Sequence, residues 1–103
     1  MPSSAAAKQT PGVWFAEGLE DLMQERGVTY RELAAATGFS PGYLNRIVTG
    51  TRPVPSDAAI KVIARAVRVR PDHFLEYRAR RLQEVLDRRP QLIDDLYDQY
   101  ARR

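Results

Sequence analysis

The stretch that most constrains this chain is Gly38-Phe39-Ser40-Pro41-Gly42-Tyr43-Leu44-Asn45-Arg46-Ile47-Val48-Thr49-Gly50. It joins a tight turn to a short helix whose two ends are both signalled. Ser40 is the candidate N-cap, since its side-chain oxygen accepts a bond from a backbone N–H that the first helical turn leaves unpaired. Pro41 suits the first helical position, where its missing donor costs nothing. Gly50 suits the left-handed position just past the end. Between them Leu44, Ile47 and Val48 share one face, which is expected to turn inward. The opposite face carries Gly42, Asn45, Arg46 and Thr49 at i, i+3, i+4 and i+7. The result is a narrow polar stripe with two hydrogen-bonding side chains and one cation, a candidate surface for reading DNA.

Helical punctuation recurs along the rest of the chain. Thr10-Pro11 resembles a cap and a first-turn proline, and predicts a helix established by Val13 and running to about Arg26. Phe15, Leu19, Leu22 and Met23 form its apolar stripe at 3.6-residue spacing. Gly18 inside it costs roughly 1 kcal/mol relative to alanine, which a close helix crossing or a tolerated substitution explains equally well. Trp14 is either a core anchor or an exposed interface residue; the core is the expectation. Gly27 ends the helix. Thr29-Tyr30-Arg31-Glu32 then reads as a capping box, in which the threonine oxygen and the glutamate each satisfy an unpaired donor. The alanine-rich helix it opens stops before Gly38, and with the turn and the next helix it makes a helix–turn–helix.

Downstream, Gly50-Thr51-Arg52-Pro53-Val54-Pro55-Ser56 is a stiff connector, because its two prolines fix φ. Ser56 caps the following helix, Asp57 occupies its first turn favourably for the dipole, and Ile60, Ile63, Ala64 and Val67 form its inward stripe. Pro71 with Asp72 predicts a fifth helix to about Arg88, with Leu75, Ala79, Leu82 and Leu86 on one stripe, flanked by Phe74 and Val85. Pro90 breaks it. A last helix from Gln91 to about Ala101 carries Leu92, Ile93, Leu96, Tyr97 and Tyr100 on one side and Asp94, Asp95 and Asp98 on the other. No strand pattern or internal repeat occurs, so the fold class is all-α.

Size and charge narrow the function. A chain of 103 residues suffices for one small domain plus an appendage. No apolar run approaches the roughly 18 residues of a membrane span, and Met1 to Gly12 lacks the apolar stretch of a secretory signal. That segment is expected to be a disordered tail, and the expected location is cytoplasmic. With no cysteine, disulfides and thiolate metal sites are excluded. The net charge of +3 is unevenly spread, at −2 over residues 1–26, +5 over residues 27–70 and 0 over residues 71–103. The excess surrounds the candidate DNA-reading stripe.

Thr29-Tyr30-Arg31-Glu32-Leu33-Ala34, Gly38-Phe39-Ser40, Tyr43-Leu44, Ile47, Gly50, Arg52 and Pro53 resemble the helix–turn–helix signature of the Cro/C1-type (XRE) repressor family. The resemblance covers residues 13–70 and implies that family's compact, lambda-repressor-like DNA-binding domain, with residues 71–103 as a helical extension. It further implies DNA contacts at Thr29 and Tyr30, whose hydroxyl reaches for a phosphate, and at Ser40, Pro41 and Gly42, where the recognition helix begins. Pro41 and Gly42 depart from the polar side chains usual at those positions. Gly42 instead permits close approach of the helix N-terminus to a phosphate, and base reading falls on Asn45 and Arg46. Arginine pairs with guanine O6 and N7, and asparagine with adenine N6 and N7; for Arg46 a phosphate contact or a solvated charge is the competing role. Thr49, Thr51 and Arg52 are expected at the DNA backbone, and Tyr43 either there or packed against the turn.

The extension has its own alternatives. Arg78, Arg80, Arg81, Arg88 and Arg89 suggest a second phosphate-binding face, but Glu76, Glu84 and Asp87 interleave with them, the pattern of a solvated helix surface. Leu75, Leu82, Leu86, Leu92, Leu96, Tyr97 and Tyr100 are the candidates for pairing with a second copy, against packing on the chain's own first helix. His73, the only histidine, lies beside Asp72 at a helix start and is accounted for by exposure. No glycine-rich phosphate loop, paired metal ligands or nucleophile motif accompanies it, so neither catalysis nor a cofactor is expected. The reading is a homodimeric, sequence-specific regulator, most simply a repressor, on a near-palindromic site. An antitoxin whose last 33 residues bind another protein is the alternative, and nonspecific nucleoid-type binding a third.

Overall fold

Local chemistry places the ends of most helices. In the computed structural model, which describes residues 11–102, six α-helices run in order: α1 (Phe15–Arg26), α2 (Tyr30–Thr37), α3 (Pro41–Thr49), α4 (Asp57–Ala66), α5 (Leu75–Arg88) and α6 (Pro90–Leu96). A 3-10 turn over Pro71–His73 precedes α5, and a π-helical turn over Tyr97–Ala101 prolongs α6. The capping box at Thr29 is complete, with Glu32 N–H donating to Thr29 Oγ1 at 3.0 Å and Thr29 N–H to Glu32 Oε1 at 2.9 Å. Ser40 and Ser56 accept from Tyr43 N–H and Ala59 N–H at 3.0 and 3.3 Å. Gly27, Gly38 and Gly50 all stand at positive φ, 65°, 82° and 83°, where a side chain would clash with its own carbonyl. Arg68 stands there too, at 64°.

One core joins α1, α2, α3 and α4. It contains Phe15, Leu19, Leu22 and Met23 of α1, Leu33 of α2, Leu44, Ile47 and Val48 of α3, and Ile60, Ile63, Ala64 and Val67 at and after α4. These are the stripes that the 3.6-residue spacing marks. The core also takes in Phe74, at 0% exposure, and so reaches past residue 70.

The N-terminal helix begins later than its sequence suggests. Thr10 and the greater part of the expected disordered tail lie outside the described residues, and α1 starts at Phe15 rather than near Pro11. Val13 is extended and forms an isolated parallel bridge with Phe74: its N–H donates to the His73 carbonyl at 3.0 Å, and its carbonyl accepts from Leu75 N–H at 2.7 Å. Glu76 Oε1 accepts from Phe15 N–H at 2.8 Å, so a carboxylate from 61 residues away caps α1. Trp14, expected in the core, is 59% exposed, because the bridge commits its neighbour Val13 to Phe74. Gly18 does answer a close approach, but the neighbours are Val13 and the Phe74 ring: a Cβ there would fall 2.4 Å from Val13 Cγ2. The Phe15 and Phe74 rings meet edge to face with centroids 4.8 Å apart.

The fifth helix is also corrected. Pro71 and Asp72 open the 3-10 turn, not α5, since Phe74 must stay extended (φ −98°, ψ 130°) to reach the core. Beyond it, α5 and α6 have no fully buried residue. Two of the α5 arginines, though partly exposed, are already paired within the chain. Arg80 Nη1 donates to Asp57 Oδ1 at 2.9 Å and to the Pro55 carbonyl at 2.8 Å, and Arg81 Nη2 donates to Asp57 Oδ2. The Arg80 hydrogen bond is the main cause holding the Asp57 carboxyl below the usual carboxylate range; partial burial opposes it and Arg81 adds to it. Among the described residues no helix is long and apolar enough to cross a membrane.

Candidate nucleic-acid interface

α3 packs against α1 and α2 through Leu44, Ile47 and Val48. A nine-residue helix is too short to persist alone in water, so this burial both forms it and decides which side it presents. Pro41, Gly42, Asn45, Arg46 and Thr49 are exposed, and so are Ser40, Thr51 and Arg52 at its two ends. The turn before α3 is braced by a residue that the motif does not mark. Thr37 Oγ1 donates to the Leu33 carbonyl at 2.8 Å and accepts from Phe39 N–H at 3.2 Å.

Tyr43 is half-buried, with its ring 5.4 Å from that of Phe39. The Arg52 guanidinium lies over the other partner of this pair, 5.4 Å from the Tyr43 centroid, and the Arg52 N–H donates to the Arg46 carbonyl at 3.1 Å. Tyr43 therefore packs on the turn and also holds a cation, a contact worth roughly 0.5–1 kcal/mol at an exposed site. A planar guanidinium stacked this way keeps N–H groups at its edge to offer a phosphate.

The hydroxyls at the end of α3 are already engaged. Thr49 Oγ1 donates to the Asn45 carbonyl at 2.9 Å, and Thr51 Oγ1 to the Arg46 carbonyl at 3.2 Å. Each hydroxyl has one proton, so both threonines close the helix C-terminus and have no further donor in this arrangement. A Cβ at Gly42 would lie 3.6 Å from the Arg46 guanidinium, an ordinary contact distance. The Arg46 side chain thus runs back along α3 toward its N-terminus.

The structure brings Arg52 onto Tyr43 and gathers Thr49, Thr51 and the Arg52 N–H at the Arg46 carbonyl, while the Arg46 side chain lies back beside Gly42. Thr29 and Tyr30 stand apart from that group at the start of α2, where they line an open groove of about 500 Å³ with Glu20, Met23, Gln24, Gly27 and Val28. Phe39 and Thr37 support the site without being among the expected DNA contacts. The spacing of Phe39 four residues before Tyr43 was the available signal for the first, and Thr37 had none beyond its place before the glycine.

A protein-family model described as a helix-turn-helix domain matches residues 14–76. This chain belongs to the XRE-type helix–turn–helix family. The span of the helix–turn–helix match includes Phe74 and Glu76, the two residues that fasten α1 from beyond α4. An HTH-type transcriptional repressor of Bacillus subtilis (strain 168), RghR, is 39% identical over 75 residues, which are 73% of this chain and 55% of that protein. The chain thus spans about half the length of the curated relative it matches. No solved structure matches significantly.

On the extension, Leu82, Tyr97 and Tyr100 are exposed, while Leu75, Leu86, Leu92 and Leu96 are half-buried. Leu75 is partly covered by its own chain, since a Cβ at Gly12 would fall 2.8 Å from Leu75 Cδ2. Val85 and Ile93 join the exposed set.

Proposed function

We propose that this chain is a sequence-specific DNA-binding transcriptional repressor that acts as a homodimer on a near-palindromic operator. The observation that carries the reading is α3, a helix buried along Leu44, Ile47 and Val48 and open along Asn45 and Arg46. The relative's name, an HTH-type transcriptional repressor, is consistent with it.

In this reading α3 enters the major groove. Arg46 pairs with a guanine and Asn45 with an adenine, each in bidentate geometry. Arg52, held on Tyr43, meets a phosphate, and the α3 N-terminus at Ser40, Pro41 and Gly42 approaches the backbone of the same groove. Thr29 and Tyr30 reach the backbone from the start of α2. Thr49 and Thr51 support the site mainly by closing α3. Two copies place their recognition helices about one helical turn apart, roughly 34 Å, on successive major grooves. The exposed apolar residues of the α5–α6 hairpin supply the contact between copies, and repression follows from occupying the site that polymerase needs.

The test is selection of bound sequences from a random duplex pool. An inverted repeat with half-sites one turn apart, preferred over unrelated duplex by about a thousandfold or more, is the expected result. Similar affinity for all duplexes at fixed salt would replace this reading with nonspecific binding. A stoichiometric second protein retained on the hairpin, in place of a second copy, would replace the homodimer with the antitoxin-type assembly.

A further inference from the structure

We propose that Asp57 is a positioning residue: by clamping Arg80 and Arg81 it sets the direction in which the α5–α6 hairpin leaves the DNA-binding half, and hence the separation of the two recognition helices. The second half of that statement rests on the homodimer reading; the first stands on a single chain.

α5 is attached to the rest of the chain at two places. The first is its opening turn, where Val13 bridges Phe74, Glu76 caps α1, Tyr77 packs against the core and Arg78 Nε donates to the Asp72 carbonyl. The second lies about five residues on, roughly 7 Å along the axis at 1.5 Å per residue. There Asp57 uses one carboxylate oxygen for Arg80 and the other for Arg81. A rod held at one point pivots, whereas one held at two points has a direction. The second attachment is itself braced, by Arg80 on the Pro55 carbonyl, by Arg81 on Glu84 Oε2 at 2.9 Å, and by the Arg81 guanidinium over the Tyr77 ring, 4.8 Å from its centroid.

Two further features argue for position rather than stability. The three side chains are 27–37% exposed, and ion pairs that wet contribute little to folding. The forked arginine geometry nonetheless fixes angles well. Moreover, at 100° per residue, Tyr77, Arg80, Arg81 and Glu84 lie on the side of α5 opposite Leu75, Ala79, Leu82 and Leu86. The helix thus meets its own domain through these ion pairs and the Tyr77 ring, which packs against the core, while its apolar stripe beyond Leu75 turns away. Asp57 is also the first residue after the connector that leaves α3, and Pro53 and Pro55 stiffen that connector. Recognition helix, connector, clamp and hairpin therefore form one continuous lever.

The chain has no cysteine, so two can be introduced for spin labels at exposed positions, Lys61→Cys on α4 and Asp94→Cys on α6. Labelled full-length chain diluted with unlabelled chain reports the distance within one protomer, whether or not it dimerises. The expected result is a single narrow distribution that broadens and shifts when Arg80→Met and Arg81→Met are added. In the same variant, affinity for the selected operator should fall about tenfold as the second half-site loses effective concentration, preference among half-site spacings should flatten, and affinity for an isolated half-site should hold. An unchanged distance distribution would overturn the clamp. Equal losses on the half-site and the full operator would also overturn it, in favour of a role in folding the DNA-binding half. A chain that sediments as a monomer would remove the dimer reading alone, because the distance measurement still reads the clamp. Should the double variant fail to fold, Asp57→Asn is read with the same label pair and the same two outcomes.

Discussion

From Phe15 to Phe74 the chain buries its apolar stripes in one shared core, whereas among the described residues from Leu75 onward no side chain is fully buried. The second region has large apolar residues of its own, but Leu82, Val85, Ile93, Tyr97 and Tyr100 stand in the open. The first region has its own core, fastened at α1 by Glu76 from beyond it, and leaves a polar face on α3 exposed. The second has helices whose burial is unfinished within the chain. Equal helicity thus conceals two different situations, one set of helices packed around a shared core and the other leaving large apolar side chains exposed.

Phe74→Ala tests where the first region ends and carries the largest expected effect. It should cost about 3–5 kcal/mol in urea unfolding, as for other buried aromatics; a cost within surface-mutation range, about 0.5 kcal/mol, would return the boundary to residue 70. The second region is tested by Leu82→Asp combined with Leu96→Asp. These changes should yield monomers by sedimentation, with weakened operator binding and the helical signal of α1 to α4 intact. A double variant that stays dimeric would move the interface off the hairpin.

Arg46→Ala sharpens the contrast within the first region, between its core and its open face. It should cost about 1–3 kcal/mol in operator binding and relax preference at one base pair, with the unfolding midpoint unchanged. An unaltered sequence preference would assign Arg46 to phosphate or solvent.

The smallest effect concerns the joint between the regions. The Asp57 carboxyl titrates below its usual range in the folded chain, chiefly because of the Arg80 hydrogen bond. Its stabilising contribution is therefore fully present above the ordinary carboxylate range and is lost as pH falls through the lowered value. Thermal midpoints of the native chain and of Asp57→Asn should differ slightly at neutral pH and converge in strong acid. A constant difference across that range would detach the effect from ionisation of Asp57.

Much of the first region was legible because its determinants are local. Thr29, Ser40 and Ser56 act on donors three residues away, and Gly27, Gly38 and Gly50 act through their own φ. The open stripe of α3 was legible for the same reason, since four-residue spacing puts Asn45, Arg46 and Thr49 opposite Leu44, Ile47 and Val48. Other features were not. Trp14 has the composition of a core anchor, and nothing near it in the chain says that Val13 will be drawn to Phe74. Thr49 and Thr51 carry hydroxyls that suit a phosphate, but their protons close α3 once the chain bends back after Gly50.

The amino-acid sequence by itself determined the caps of α2, α3 and α4, the inward stripes of α1 to α4 and the polar face of α3, because each arises from contacts within about one helical turn. Tertiary structure alone decided that Glu76 caps α1, that Phe74 completes the core, and that Asp57 takes both Arg80 and Arg81. Those pairings span 23 to 61 residues. No spacing rule connects groups so far apart; only the packing of α1 to α4 brings them within hydrogen-bond reach.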